Sequence, residues 1–136
     1  MTHCVVCKSE DIKSMTAVET VFYKGNELQI PLEYSVCNGC GREFVPKPQI
    51  LRGEIALRNA RKKIDGLLSS EEICQARANL SISQEQASKV FGGGINAFSK
   101  YERGEVSQGV AMDKLIRICL NHRDIFLELA RGVNET

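Results

Sequence analysis

Four cysteines stand in two pairs, Cys4-Val-Val-Cys7 and Cys37-Asn-Gly-Cys40, with 29 residues between the pairs. A thiol binds metal once it has lost its proton, and a CxxC turn places two sulfurs on one side of a tight bend. Two such bends supply the four sulfurs of a tetrahedral Zn²⁺ site, with Zn–S distances of about 2.3 Å. Gly39 and Gly41 suit the backbone turns of the second pair. Four sulfurs fill the tetrahedron and leave no position for water, so the ion is structural rather than catalytic. Rubredoxin-like iron is the chemical competitor, and red protein would reveal it. His3, beside Cys4, reads as a solvent-exposed terminal side chain and not as a fifth ligand.

A second constellation lies in Ser83 to Gly104. Ser83 with Gln86 three residues on is a capping box, and Ala87, Val90 and Phe91 then recur at helical spacing. Gly92, Gly93 and Gly94 break that helix, and a second is expected from about Ile95 to Arg103, stopped by Gly104. On it Phe98 and Tyr101 face inward, while Asn96 and Lys100, four apart, share the outward face. This is the layout of a DNA-binding helix-turn-helix. An asparagine amide can pair bidentately with adenine N6 and N7, and a lysine ammonium can donate to guanine O6 and N7.

The elements that hold these groups can be read around them. Val18 to Tyr23 is rich in strand formers and ends at the turn signal Lys24-Gly25-Asn26. Leu28, Ile30, Leu32, Tyr34 and Val36 alternate, so one face of that strand is buried. Pro31 has no N–H and predicts an unpaired edge, open to solvent or to a partner's strand. Some 45 residues cannot bury enough apolar surface to fold unaided, and zinc is the expected staple. Pro46-Lys47-Pro48 marks a boundary. A helix follows with Ile50, Leu57, Ala60, Ile64 and Leu67 on one face and Arg52, Arg58, Arg61, Lys62 and Lys63 around the rest, ending at Gly66. Ser69 or Ser70 caps a further helix to about Leu80. Met112 to Leu120 and Ile125 to Val133 give two more. The fold class is therefore α+β: a zinc-bound antiparallel module (1–45), a basic connector (46–68) and a compact five-helix domain (69–136). Cys74 and Cys119 are expected as buried small hydrophobes.

No run is apolar enough to span a bilayer, and the N-terminus has no basic-then-apolar signal, which points to the cytoplasm. Six cysteines in that compartment are not a disulfide framework. The formal net charge is +1, but its distribution is uneven. Residues 1–45 hold four Lys/Arg against six Asp/Glu, residues 46–68 six against two, and residues 69–136 eight against nine. The basic cluster Arg58, Arg61, Lys62 and Lys63 is a candidate for DNA phosphates, which add affinity and salt dependence without sequence choice. Neither an open metal position, nor a nucleophile–base pair, nor a phosphate-binding loop is evident, so the chain does not read as an enzyme. The apolar excess of Ile125, Phe126, Leu127, Leu129 and Val133 hints at a homodimer, and two recognition helices one DNA turn apart read a palindromic operator.

The run SQEQAS…FGGGINAFSKYE resembles the Xre-type, lambda-repressor-like helix-turn-helix, and its union with CxxC…CxxC resembles the MqsA (YgiT-type) antitoxin family. The resemblance implies a type II toxin–antitoxin system. It further implies a partner toxin, usually an mRNA-cleaving ribonuclease, neutralised by the zinc module, and a helical module that dimerises and represses its own operon. It makes Cys4, Cys7, Cys37 and Cys40 the zinc ligands and Asn96 the base-reading asparagine. Lys100 stands where a base-reading arginine is usual, and lysine cannot form the planar fork of arginine. Ser83, Gln84 and Ser99 complete the expected backbone contacts to DNA. The alternative is a zinc-containing transcriptional regulator of the same type with no toxin partner.

Overall fold

The computed structural model describes residues 3–134. They form two compact units, divided between Arg61 and Lys62. The first is built on an antiparallel sheet of β1 (Ile12–Tyr23), β2 (Asn26–Cys37) and β3 (Glu43–Phe44), in the order β1-β2-β3. β1 and β2 are joined by the two-residue turn Lys24-Gly25, both in the left-handed region at φ 50° and 77°. Two such residues match the twist of the strands they join, and so short a loop fixes the register. Tyr23 faces Asn26, and the ladder runs on to Ile12 opposite Cys37, which ends the hairpin at the second cysteine pair. Pro31 lies opposite Val18, whereas β3 pairs only with Ser35 and Val36. At Pro31, the outer side of β2 thus carries no strand among the described residues, as the missing N–H predicts.

Helix α1 (Lys47–Asp65) begins against this sheet. Gln49 is buried, accepts from the Ser35 hydroxyl at 3.0 Å and donates to the Tyr34 carbonyl at 3.4 Å. Arg52 pairs with Glu33 through both ends of its guanidinium. A Cβ on Gly53 would lie 3.0 Å from Leu32 Cδ2, so a glycine in mid-helix allows the close approach. Sheet and helix leave an apolar groove of about 520 Å³ between them, lined by Ala17, Val21, Ile30, Leu32, Ile50 and Leu57 among others. The helix ends at Gly66, φ 75°, as the sequence leads one to expect.

The second unit contains α2 (Ser70–Leu80), α3 (Gln84–Phe91), α4 (Ala97–Glu102), α5 (Val110–Asn121) and α6 (Arg123–Asn134). Reciprocal capping boxes open two of them: Ser69 with Glu72 for α2, Ser83 with Gln86 for α3. Each satisfies backbone N–H groups that a helix start leaves without partners. The core gathers Ile73, Leu80, Ala87, Phe91, Phe98, Tyr101, Ile116, Cys119 and Phe126 with their neighbours. Phe98 is its centre, 5.6 Å from the Phe91 ring and 5.5 Å from that of Tyr101. The sheet, six helices and clustered cysteines make the chain α+β. Cys74 corrects an expectation: it is exposed, 3.9 Å from an Arg77 nitrogen, because it follows the buried Ile73 by one step of about 100° around α2. Cys119 is buried as expected, and burial pushes its thiol up.

Candidate functional site

The two CxxC turns are built alike. Cys4 N–H donates to Ser9 O and Lys8 N–H returns to Cys4 O, at 2.8 and 2.9 Å. Cys37 N–H donates to Arg42 O and Gly41 N–H returns to Cys37 O, at 2.9 and 2.7 Å. The equivalent residues Lys8 and Gly41 are both left-handed, at φ 67° and 79°. Asn38 joins the turns by donating to Asp11 through backbone and side chain. A Cβ on Gly39 would meet Ser9 Cβ at 2.8 Å, so only glycine lets the turns meet. The four sulfurs all lie within 4.8 Å of one another, with Cys4–Cys40 at 3.9 Å and Cys7–Cys37 at 3.4 Å. A tetrahedron with 2.3 Å bonds has sulfurs about 3.8 Å apart, so the residues present fit a metal ion.

The backbone prepares two of the thiols. Cys4 is pulled down to about 6, first by the Cys7 N–H and then by that of Val6. Cys37 is lowered, first by the Cys40 N–H. At Cys7 the Ser9 N–H pulls downward, but donation to the sulfur of Cys37, with burial and the remaining thiols, outweighs it and pushes Cys7 up to about 12. Backbone N–H donation favours the deprotonated form of Cys4 and Cys37, the form in which sulfur binds a metal ion. A bound ion would cross-link the chain start to the end of β2.

The other constellation sits between α3 and α4. Gly92, Gly93 and Gly94 are all left-handed, at φ 88°, 98° and 100°, a path that side chains other than glycine resist. A Cβ on Gly93 would crowd Ala97 Cβ at 3.0 Å and the Tyr101 hydroxyl at 3.2 Å. Ala97 N–H then donates to Gly94 O at 3.2 Å, closing a turn with Ile95 and Asn96 at its corners. The second helix therefore starts at Ala97 and not at Ile95, with Asn96 at its N-cap position. Lys100 N–H donates to Asn96 O, so the two remain one helical turn apart. Both are exposed, while Ala97, Phe98 and Tyr101 between and beside them are buried. Ser83 is exposed and engaged in its capping box; Gln84 and Ser99 are half-buried, and Ser99 Oγ accepts from Arg103 at 2.6 Å.

The basic cluster on α1 does not form one stripe. Arg61 and Lys63 are exposed and Arg58 is half-buried, but Lys62 is only 2 % exposed. The expected placement of Lys62 on the exposed basic face is thereby corrected: the side chain is buried. Three consecutive residues fan about 100° apart around a helix, so they cannot share a face. Arg61 is further held over the Tyr23 ring at 5.4 Å.

Two polar clamps were not anticipated. Arg77 on α2 holds Glu102 on α4 through two bonds of 2.9 Å and donates to Ile82 O at 3.0 Å. Burial works to raise the Glu102 carboxyl, but Arg77 together with the Cys74 and Gln84 side chains outweighs it and holds the group below the ordinary range. The pair fixes the angle of α4 against the core. Asp113 on α5, also buried, accepts from Leu68 N–H at 2.8 Å, Gln108 at 3.0 Å and Arg117 at 2.8 Å. Asp113 and Arg117, four apart, were a legible pair; their partners forty or more residues away were not.

A family described as the antitoxin component of a bacterial toxin–antitoxin system, MqsA, matches residues 2–130. Antitoxin MqsA of Escherichia coli (strain K12) is 39 % identical over 62 residues, 46 % of this chain and 47 % of that protein. The matched stretch thus spans about half the length of the curated relative.

Proposed function

Since the chain belongs to the MqsA family of antitoxin components, we propose that it neutralises a partner toxin and represses its own promoter as a dimer. The DNA-binding part of this reading is carried by one observation. α4 buries Ala97, Phe98 and Tyr101 yet leaves Asn96 and Lys100 exposed across its first turn. Those are an amide suited to adenine and a cation suited to guanine, on a helix braced by the Arg77–Glu102 pair. In this reading α3 crosses the sugar-phosphate backbone with Ser83 and Gln84, and α4 enters the major groove. Ser99, Arg58, Arg61 and Lys63 face phosphates. Leu127, 48 % exposed on α6, supports a dimer contact, and two copies would address a palindrome.

The sheet unit supplies the toxin-binding half. Its four thiols hold zinc, which secures a small domain whose strand β1 has no neighbour on its outer side among the described residues. Residues 1–45 carry a net −2, a charge suited to a basic, RNA-cleaving partner. The test is co-expression with the product of the adjoining gene. A stable complex, RNA cleavage silenced in it, and one zinc per chain are expected. RNA cleavage unaffected by the chain would leave a regulator without a toxin.

A further inference from the structure

Ile95 is 80 % exposed, more than any other large apolar side chain among the described residues. An exposed isoleucine is unremarkable by itself. Its place is not. It occupies a corner of the turn closed by Ala97 N–H and Gly94 O, where chains ordinarily put polar or small residues. It also directly precedes Asn96, itself exposed, at the mouth of α4. Three left-handed glycines lead into this turn, Gly93 lying flush against Ala97 and Tyr101, and the next two residues, Ile95 and Asn96, are exposed. The core therefore does not use Ile95, and a charged or polar residue would serve the turn equally well.

We propose that Ile95 reads the C5-methyl group of a thymine in the major groove, a specificity contact beside the one made by Asn96. This rests on the DNA-binding reading above. The major-groove edge of an A·T pair offers adenine N6 and N7 for an amide and the thymine methyl for an apolar side chain. Adjacent Cα atoms are about 3.8 Å apart, and adjacent bases are spaced about 3.4 Å along one strand. The thymine therefore belongs to the adenine pair that Asn96 reads or to the neighbouring step. Burying a methyl group against Ile95 is favourable by the ordinary hydrophobic term, worth about fourfold in affinity for one methyl.

The test uses the full-length protein. An operator is selected from random duplex DNA, and each thymine is then replaced singly by deoxyuridine, which removes only the methyl. One thymine per half-site should weaken wild-type binding about fourfold when stripped of its methyl. The same replacement should leave the Ile95→Ala variant unchanged, and that variant should bind the intact operator as weakly as wild type binds the stripped one, or more weakly. Equal losses in both proteins, or an Ile95→Ala variant with wild-type affinity and base preference, would overturn the assignment while leaving DNA binding intact. A selection that enriches no sequence would remove the DNA-binding reading and this inference together. Because Ile95 is largely exposed, circular dichroism of Ile95→Ala should match wild type.

Discussion

Five side chains are buried in the described sheet unit, Cys4, Ile30, Ser35, Cys37 and Gln49, and two of them are thiols. In the helical unit twelve apolar side chains form one cluster, from Leu68 to Phe126. The first unit has one fully buried aliphatic residue and a groove where a core would be. The second has three phenylalanines in ring contact, Phe91 between Phe98 and Phe126, and two helices opened by capping boxes. Chains of similar length thus arrive at order by different routes. The first brings four thiols together where a bound ion could cross-link its turns, and the second rests on apolar burial. On the proposed function the difference would also divide the work: a domain with little core would keep its strand edge and acidic surface for a partner, while a well-packed one would hold two side chains at a fixed spacing.

The largest effect should come from taking the cross-link away. Chelation, or Cys37→Ser, should unfold the sheet unit and leave the helical unit folded, a loss on the order of 10 kcal/mol of binding free energy. Amide exchange resolved by residue is the measurement: Ile12–Cys37 should lose protection while Ile73–Phe126 keeps it. Simultaneous collapse of both would mean that they are not independent. The converse is Phe98→Ala, which should destabilise the helical unit by about 3–5 kcal/mol in urea titration and leave metal content unchanged.

Acid should distinguish the units as well. Burial works to raise the Asp113 carboxyl, but Leu68 N–H, Arg117 and Gln108 outweigh it and hold it below its ordinary value. A carboxyl depressed in the folded state contributes stability that is present above its unfolded value and lost as pH falls through the folded one. Stability of the helical unit should therefore decline below the usual carboxylate range, and Asp113→Asn should flatten that decline. An unchanged acid arm in the variant would locate the sensitive group elsewhere, with Glu102 the next to replace.

Which of these features the sequence disclosed follows from the range of the forces involved. The knuckles, the Lys24-Gly25 turn, the Ser83–Gln86 capping box and the faces of α2, α3 and α5 rest on residues close in sequence and were legible, whereas for α2 the cap was narrowed only to Ser69 or Ser70. Lys62 and Cys74 were misplaced because a helical wheel fixes relative angles, whereas burial depends on what lies opposite. The role of Gln49 was invisible, since its partners Ser35 and Tyr34 come from another element. The start of α4 was set two residues early: three glycines signal a break, but their dihedral angles decide where the chain rejoins a helix.

On the helical unit the next effect is on binding and not on stability. Asn96→Ala should cost about 1–3 kcal/mol of operator affinity and relax the choice of one base. Its urea midpoint should stay at the wild-type value, because Asn96 makes no side-chain cap bond. Full discrimination retained by the variant would remove Asn96 from the reading.

The smallest effect separates neighbours on α1. Each phosphate neutralised releases counterions, and the logarithm of affinity then falls with that of salt by about 0.9 per contact. Arg61→Gln with Lys63→Gln should flatten that slope by up to about 2 and weaken all sequences alike. Lys62→Met should leave the slope where it was, because a side chain 2 % exposed has no counterion atmosphere to exchange with DNA. Arg61 already leans on the Tyr23 ring, and a cation over an aromatic face keeps most of its charge available to solvent. Arg61 and Lys63 should therefore contribute comparably. If Lys62→Met flattened the slope and the exposed pair did not, the phosphate would lie on the opposite side of α1, and the basic cluster would have to be reassigned to that face.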